Sequence, residues 1–217
     1  MMTNLFSVFD PTTGKLSLNW LSMILFILIP TQFWFSPSKL FMIMINLFKM
    51  LLNEIVSHTK SSKSAILLIS LFLLILINNF LGLLPYIFTA SAHLVFSLSI
   101  ALSLWLSMMM YGWINKTNSM FTHLLPIGTP IILMPFMILI ESISNIIRPG
   151  SLAVRLSANM IAGHLLMSLL GNNFIENNIL LCMFMWLFIG LMMFETAVAF
   201  IQSYVFMTLS TLYSSEI

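Results

Sequence analysis

The sequence predicts an all-α integral membrane protein with about five membrane-embedded helices, one interfacial amphipathic helix and a long, strongly tilted C-terminal helical hairpin. Three observations carry this reading. Of 217 residues, 60% are hydrophobic and 6% charged, where a soluble globular domain carries roughly a quarter charged residues. The mean hydropathy is +1.06. Apolar runs able to cross about 30 Å of hydrocarbon recur along the chain, and the last two are too long to stand upright in it.

Residues 1–17 are short and polar. The apolar run 18–35 can span once, with Pro30 as a kink at its exit. From 39 to 57 the apolar pattern is broken by Lys39, Asn46, Lys49, Asn53 and Glu54 at three- to four-residue spacing, which predicts an amphipathic helix on the interface. Segments 64–84 and 87–111 read as a spanning antiparallel hairpin around Pro85, with no charge between residues 64 and 115. A polar loop with Asn115, Lys116, Asn118 and His123 follows.

The two remaining segments, 130–170 and 179–213, would be about 60 and 52 Å long as single helices at 1.5 Å per residue. They must tilt, break or fold back. Pro149-Gly150 is a kink candidate in the first, whereas the second contains no proline and favours one slanted helix. The whole chain, 1–217, then forms one polytopic membrane domain. Lys39, Lys49, Lys60, Lys63 and Lys116 fall on one side, which sets that side inward and the N-terminus outward, with Glu176 outside and Glu216 inside.

Composition also excludes functions. A net charge of +2 without a basic run interleaved with aromatics leaves no nucleic-acid partner. Cys182 is alone in an apolar run, and the nineteen methionines are scattered as packing residues, so neither a metal site nor a cofactor is implied. No H-E-x-x-H, phosphate-loop, dinucleotide-binding or nucleophile-elbow pattern occurs, so the chain has no catalytic residues of its own. The N-terminus lacks a transit-peptide composition, so the first helix is expected to stay.

The chemistry must therefore lie with the intramembrane polar groups. Glu141, Arg148, Arg155 and Glu195 fall inside the last two segments, with Asn159, His164 and Gln202. A mid-membrane arginine costs about 2.5–3.5 kcal/mol to insert, so it needs a partner or a water cavity. At about 100° per residue, Ser151, Arg155, Ala158, Asn159 and Ala162 share one small, polar face, against which another helix can pass closely. His164 points nearly opposite, about 13 Å further along. Glu195, Ala199, Gln202 and Tyr213 form one stripe on the last helix, in which Glu195 suits a proton relay and Gln202 can bond to Arg155. A Glu195–Arg155 salt bridge and ordinary small-residue packing are the structural alternatives. His58 and His123 read as loop residues, and His93 as an interfacial one.

Ser151-Leu-Ala-Val-Arg-Leu-Ser-Ala-Asn-Met160, continuing to His164, with Asn79-Phe-Leu-Gly-Leu-Leu-Pro-Tyr86 and Glu195-Thr-Ala-Val-Ala-Phe-Ile-Gln-Ser-Tyr-Val205, resembles subunit a of rotary F-type ATP synthases in its mitochondrial form. The resemblance covers essentially the whole chain. It implies a stator subunit whose two offset aqueous half-channels load and unload a carboxylate on a ring of c subunits. Arg155 would separate the paths, with Asn159 and Gln202 beside it, His164 and Glu195 in the outer path, and Glu141 at a charged family position. Ser151, Ala158, Ala162 and Tyr213 are expected to face the ring. Bacterial relatives exchange the acid and the histidine between the positions of His164 and Glu195. The implied partners are the c-ring, other membrane and peripheral-stalk subunits, protons and the bilayer, and the implied location is the mitochondrial inner membrane, with the N-terminus toward the intermembrane space and the C-terminus toward the matrix. The rival readings are a subunit of another ion-translocating complex, a cation/proton antiporter and a purely structural anchor.

Overall fold

The computed structural model describes residues 5–28, 36–59, 62–125, 128–173 and 178–216; the expectations for Pro30, Lys60 and Glu176 lie outside them. Six α-helices follow in order: α1 (Lys39–Thr59), α2 (Ser62–Gly82), α3 (Leu94–Asn115), α4 (Thr117–His123), α5 (Met134–Asn173) and α6 (Asn178–Glu216). Short 3-10 helices lie at Leu5–Phe9, Leu18–Leu28, Ala90–Ala92 and Ile131–Leu133. No strand occurs among the described residues, and five helices, α1, α2, α3, α5 and α6, are long and apolar enough to cross a membrane.

The bundle packs through narrow stripes. On α2, Ala65, Leu68, Phe72 and Ile75 recur at three- and four-residue spacing and are buried, as one face of a helix requires. They meet Ile55 of α1, Ala101 and Leu104 of α3, Leu152, Ala153 and Leu156 of α5, and Phe206 and Met207 of α6. Lipid removes the hydrophobic drive between helices, so close packing at small residues such as Ala65, Ala101 and Ala153 holds them together. The Tyr204 hydroxyl of α6 donates to Glu54 Oε1 of α1 at 2.7 Å, a link across the bundle between residues distant in sequence.

The N-terminal third departs from expectation. In place of an α-helical span over 18–35, the described part is a 3-10 helix, Leu18–Leu28. Its eleven residues reach about 22 Å at about 2.0 Å per residue. Its first turn is anchored by side contacts: Leu18 N–H donates to Thr13 Oγ1 at 3.1 Å, the Asn19 amide to the Asp10 carbonyl at 3.2 Å, and Trp20 packs on Phe88 and His93. By length and composition α1 counts among the five potential spans, with the lowest mean hydropathy of them, 1.2.

The segment read as 87–111 begins as a helix only at Leu94. After Gly82 the chain turns through Pro85 and Tyr86, whose φ of 69° is left-handed, and then sinks inward, so that Thr89, Ala90, Ser91 and Ala92 are all buried. This inserted turn packs against α2, α3 and α5, and α2 takes α1 and α6 as its main helical neighbours while α3 takes α5. At the other expected break, α5 continues through Pro149 without interruption. A transmembrane helix tolerates such a proline, which removes only the one backbone bond to the carbonyl of Asn145.

Candidate functional site

On α5 the residues at the predicted phase, Ser151, Arg155, Ala158, Asn159 and Ala162, are all exposed, while Leu152, Ala153, Leu156, Ser157 and Met160 behind them are buried. The helix turns its large apolar side chains into the bundle and leaves small and polar ones outside. Arg155 makes no hydrogen bond or ion pair among the described residues. A guanidinium left this way in a membrane calls for water or an external anion.

On α6 the predicted stripe faces inward: Glu195, Ala199 and Gln202 are buried. The Asn159 amide donates to Gln202 Oε1 at 3.0 Å, which ties α5 to α6 one turn beyond Arg155. The expected Gln202–Arg155 bond is replaced by this amide pair, because Arg155 points outward while Gln202 points into the helix contact. Glu195 does not pair with Arg155 either. The residue is 7% exposed, and neither carboxyl oxygen has a hydrogen-bond partner among the described residues. Gly163 makes room for it: a Cβ there would stand 2.9 Å from both Cδ and Oε1 of Glu195.

Three cavities, each with a mostly apolar lining that includes polar groups, are distributed along this helix pair. One of about 300 Å³ is lined by Asn159, Gly163, Glu195 and apolar neighbours. A second, of about 640 Å³, lies under the turn after Pro85 and is lined by His164, Asp10, Asn19 and Ser168 among others. There His164 meets Phe9 edge to face at 6.1 Å, and its Nε2 is buried without a hydrogen-bond partner among the described residues. The third, of about 320 Å³, lies toward the opposite end of the pair and contains Glu141, Asn145, Arg148, Tyr213 and His123. Glu141 Oε1 is 3.5 Å from Arg148 Nη2, and the Arg148 guanidinium sits 5.0 Å from the centre of the Tyr213 ring. Tyr213 is thus half-buried against Arg148, away from the exposed face of Arg155. Arg155 lines none of the three cavities.

Sequence reasoning missed the place of Gly163 against Glu195, and His58 and His123, read as loop residues, lie in the last turns of α1 and α4. Gly163 meets Glu195 across a helix pair, which no local spacing reveals, and the short helix α4 lies in a stretch too polar and too brief to show a clear apolar period.

The family model described as ATP synthase A chain matches residues 12–215. The chain belongs to the ATP synthase subunit a family. It is 56% identical to "ATP synthase subunit a" of Anopheles quadrimaculatus, with all of both chains covered. The identity is likewise 56% with the same subunit of Drosophila melanogaster and 53% with that of Locusta migratoria, again over the whole of each chain. The chain is therefore a multi-pass membrane subunit of the F-type ATP synthase, the proton-translocating part of its stator, and the other ion-translocating complexes and antiporters are not favoured. ATP synthesis and proton transport follow from membership of the subunit a family.

Proposed function

We propose that the chain supplies two offset half-paths for protons and the barrier between them, and that the moving carrier is a carboxylate on a ring of c subunits sliding past the exposed face of α5. The observation that carries this reading is the unpaired, exposed Arg155 among small side chains, flanked along the helix by one cavity that holds Glu195 and another that holds Glu141, and lining neither. A guanidinium cannot release its proton near neutral pH, so it blocks direct transfer while attracting an ionised carboxylate. Small neighbours at Ser151, Ala158 and Ala162 let the ring helix approach closely enough for that attraction.

In this reading Glu195 and His164 handle protons in the outer path, the Asn159–Gln202 pair fixes α5 against α6 beside Arg155, and Glu141 belongs to the inner path with Tyr213 as a neighbour instead of a ring contact. Each proton falling through about 100 mV supplies about 2.3 kcal/mol, available for rotation only while the two paths stay separate. The subunit has no active site of its own, and catalysis belongs to other subunits of the complex. The lysine asymmetry supports an N-terminus in the intermembrane space and a C-terminus in the matrix, with the insect relatives supporting the mitochondrial inner membrane as location. Other membrane and peripheral-stalk subunits hold the chain still.

Cysteines introduced singly at Ser151, Ala158 and Ala162 test the ring contact in the assembled complex. Oxidative cross-links to cysteines on the ring's outer helix are expected at all three. Absence of cross-links at Ala158, with the ring still co-purifying, would overturn the proposed face.

A further inference from the structure

Two side-chain hydrogen bonds tie α6 to its neighbours, and the half-paths account for only one of them. On one face Gln202 accepts from the Asn159 amide of α5 at 3.0 Å. On another the Tyr204 hydroxyl donates to Glu54 Oε1 of α1 at 2.7 Å, a well-formed O–H···O length. Gln202 and Tyr204 are two residues apart, so at about 100° per residue they point about 200° away from each other. The two bonds grip α6 from opposite sides at nearly one depth. Glu195 shares the geometry: Gln202 follows it by seven residues, about 20° from its direction, and Tyr204 follows it by nine, about 180° behind it.

Shape alone does not fix the Tyr204 side of this grip. Ile55 of α1 and Met207 of α6 are fully buried in the common core. Beside them, however, Glu54, His58, Thr208 and Thr211 surround a gap of about 110 Å³. Glu54 is exposed, and α1 has the lowest mean hydropathy of the potential spans. Such a contact leaves the rotation of α6 to directional bonds, which weaken steeply off axis. The rotation matters for Glu195. With side chains a helix has a radius of about 5–6 Å, so turning α6 by about 10° carries the carboxyl group about 1 Å from its place against Gly163. A misplacement of about 1 Å can slow a reacting group about 100-fold.

We infer that the Tyr204–Glu54 hydrogen bond is a positioning latch for proton transfer: with the Asn159–Gln202 pair it fixes the rotation of α6 about its axis and thereby the aim of Glu195 at Gly163. The inference rests on the proposed role of Glu195 and extends it to α1. Neither Tyr204 nor Glu54 carries a transferred proton. Glu54 serves as an acceptor, so an amide oxygen in its place keeps the latch closed, whereas an apolar side chain opens it.

Proton flux in vesicles containing the whole complex, normalised to assembled ring, tests this. Tyr204→Phe, which removes only the hydroxyl, and Glu54→Leu are each expected to slow flux several-fold. The double variant should be no slower than the slower single one, because each change opens the same latch. Glu54→Gln, which keeps an acceptor oxygen, should stay near the native rate. Native flux in Tyr204→Phe overturns the inference, and so does equal loss in Glu54→Gln and Glu54→Leu, which would make Glu54 act through its charge. Where Tyr204→Phe fails to assemble, a density map of the native complex decides: a phenol oxygen beyond hydrogen-bonding distance of Glu54 overturns the latch, and the Glu54 pair still reports on flux. Failure of the Glu195 reading is distinguishable, because it would leave flux unaltered in Glu195→Gln. With that reading sound, Tyr204→Phe added to Glu195→Gln should slow flux no further, and a further several-fold loss would show that the latch does not act through Glu195.

Discussion

Gly163→Ala is the sharpest probe of how the site is built. The added Cβ would lie 2.9 Å from Cδ and Oε1 of Glu195, against ordinary contact from about 3.4 Å, so the carboxyl group must retreat by about 0.5 Å. The far end of a glutamate can move, so the crowding cost falls toward the low end of about 1–3 kcal/mol. Replacing glycine by alanine inside a helix returns about 1 kcal/mol through backbone entropy. Stability should therefore change little. Proton transfer should change more, since a reacting group misplaced by about 1 Å can cost about 100-fold, and half that distance on the order of tenfold. The assay is ATP-driven proton pumping in vesicles containing the whole complex, normalised to assembled ring. Gly171→Ala, where nothing lies within 4 Å of the new Cβ, is the control and should pump normally. Adding Glu195→Asp to Gly163→Ala shortens the acid and should restore part of the rate. Native pumping in Gly163→Ala alone would refute the argument that the glycine shapes the proton site.

Two further outcomes follow from the same geometry. Glu195→Gln should slow proton flux in both directions, and adding His164→Glu should recover part of it; unaltered flux in Glu195→Gln would remove this carboxyl group from the relay. Asn159→Leu deletes one side of the 3.0 Å amide pair and leaves the buried Gln202 unsatisfied, at a cost of about 1–3 kcal/mol. It should lower the yield of assembled complex, while Asn159→Leu combined with Gln202→Leu loses less than the two single changes together, which thermal melting of the complex would measure.

The faces of α5 and α6 were legible in the sequence because helical phase is a local property. Arg155, Asn159 and their small neighbours emerge together outside, and Glu195, Ala199 and Gln202 together inside, as about 100° per residue requires. The partners across the helix contact were not legible. Gln202 was expected to bond to Arg155, yet it takes Asn159, because which of two residues one turn apart meets a neighbour depends on the rotation and tilt of both helices. Gly163 could not be matched to Glu195 for the same reason. The segment 83–93 misled for a different one: an apolar run reads alike as a helix start or as a buried turn, and tertiary packing of Thr89–Ala92 among α2, α3 and α5 decided it. The 3-10 form of Leu18–Leu28, whose first turn is anchored by Thr13, Asp10 and His93, was not legible because hydropathy alone reports length without pitch.

The central claim is that Arg155 separates two proton paths, and Arg155→Ala tests it most directly. With the variant complex in vesicles, an imposed potential and no nucleotide, passive proton conductance is expected to rise while ATP-driven pumping and potential-driven ATP synthesis are lost. Preserved ATP-driven pumping in Arg155→Ala, at native levels of assembled ring, would contradict the account.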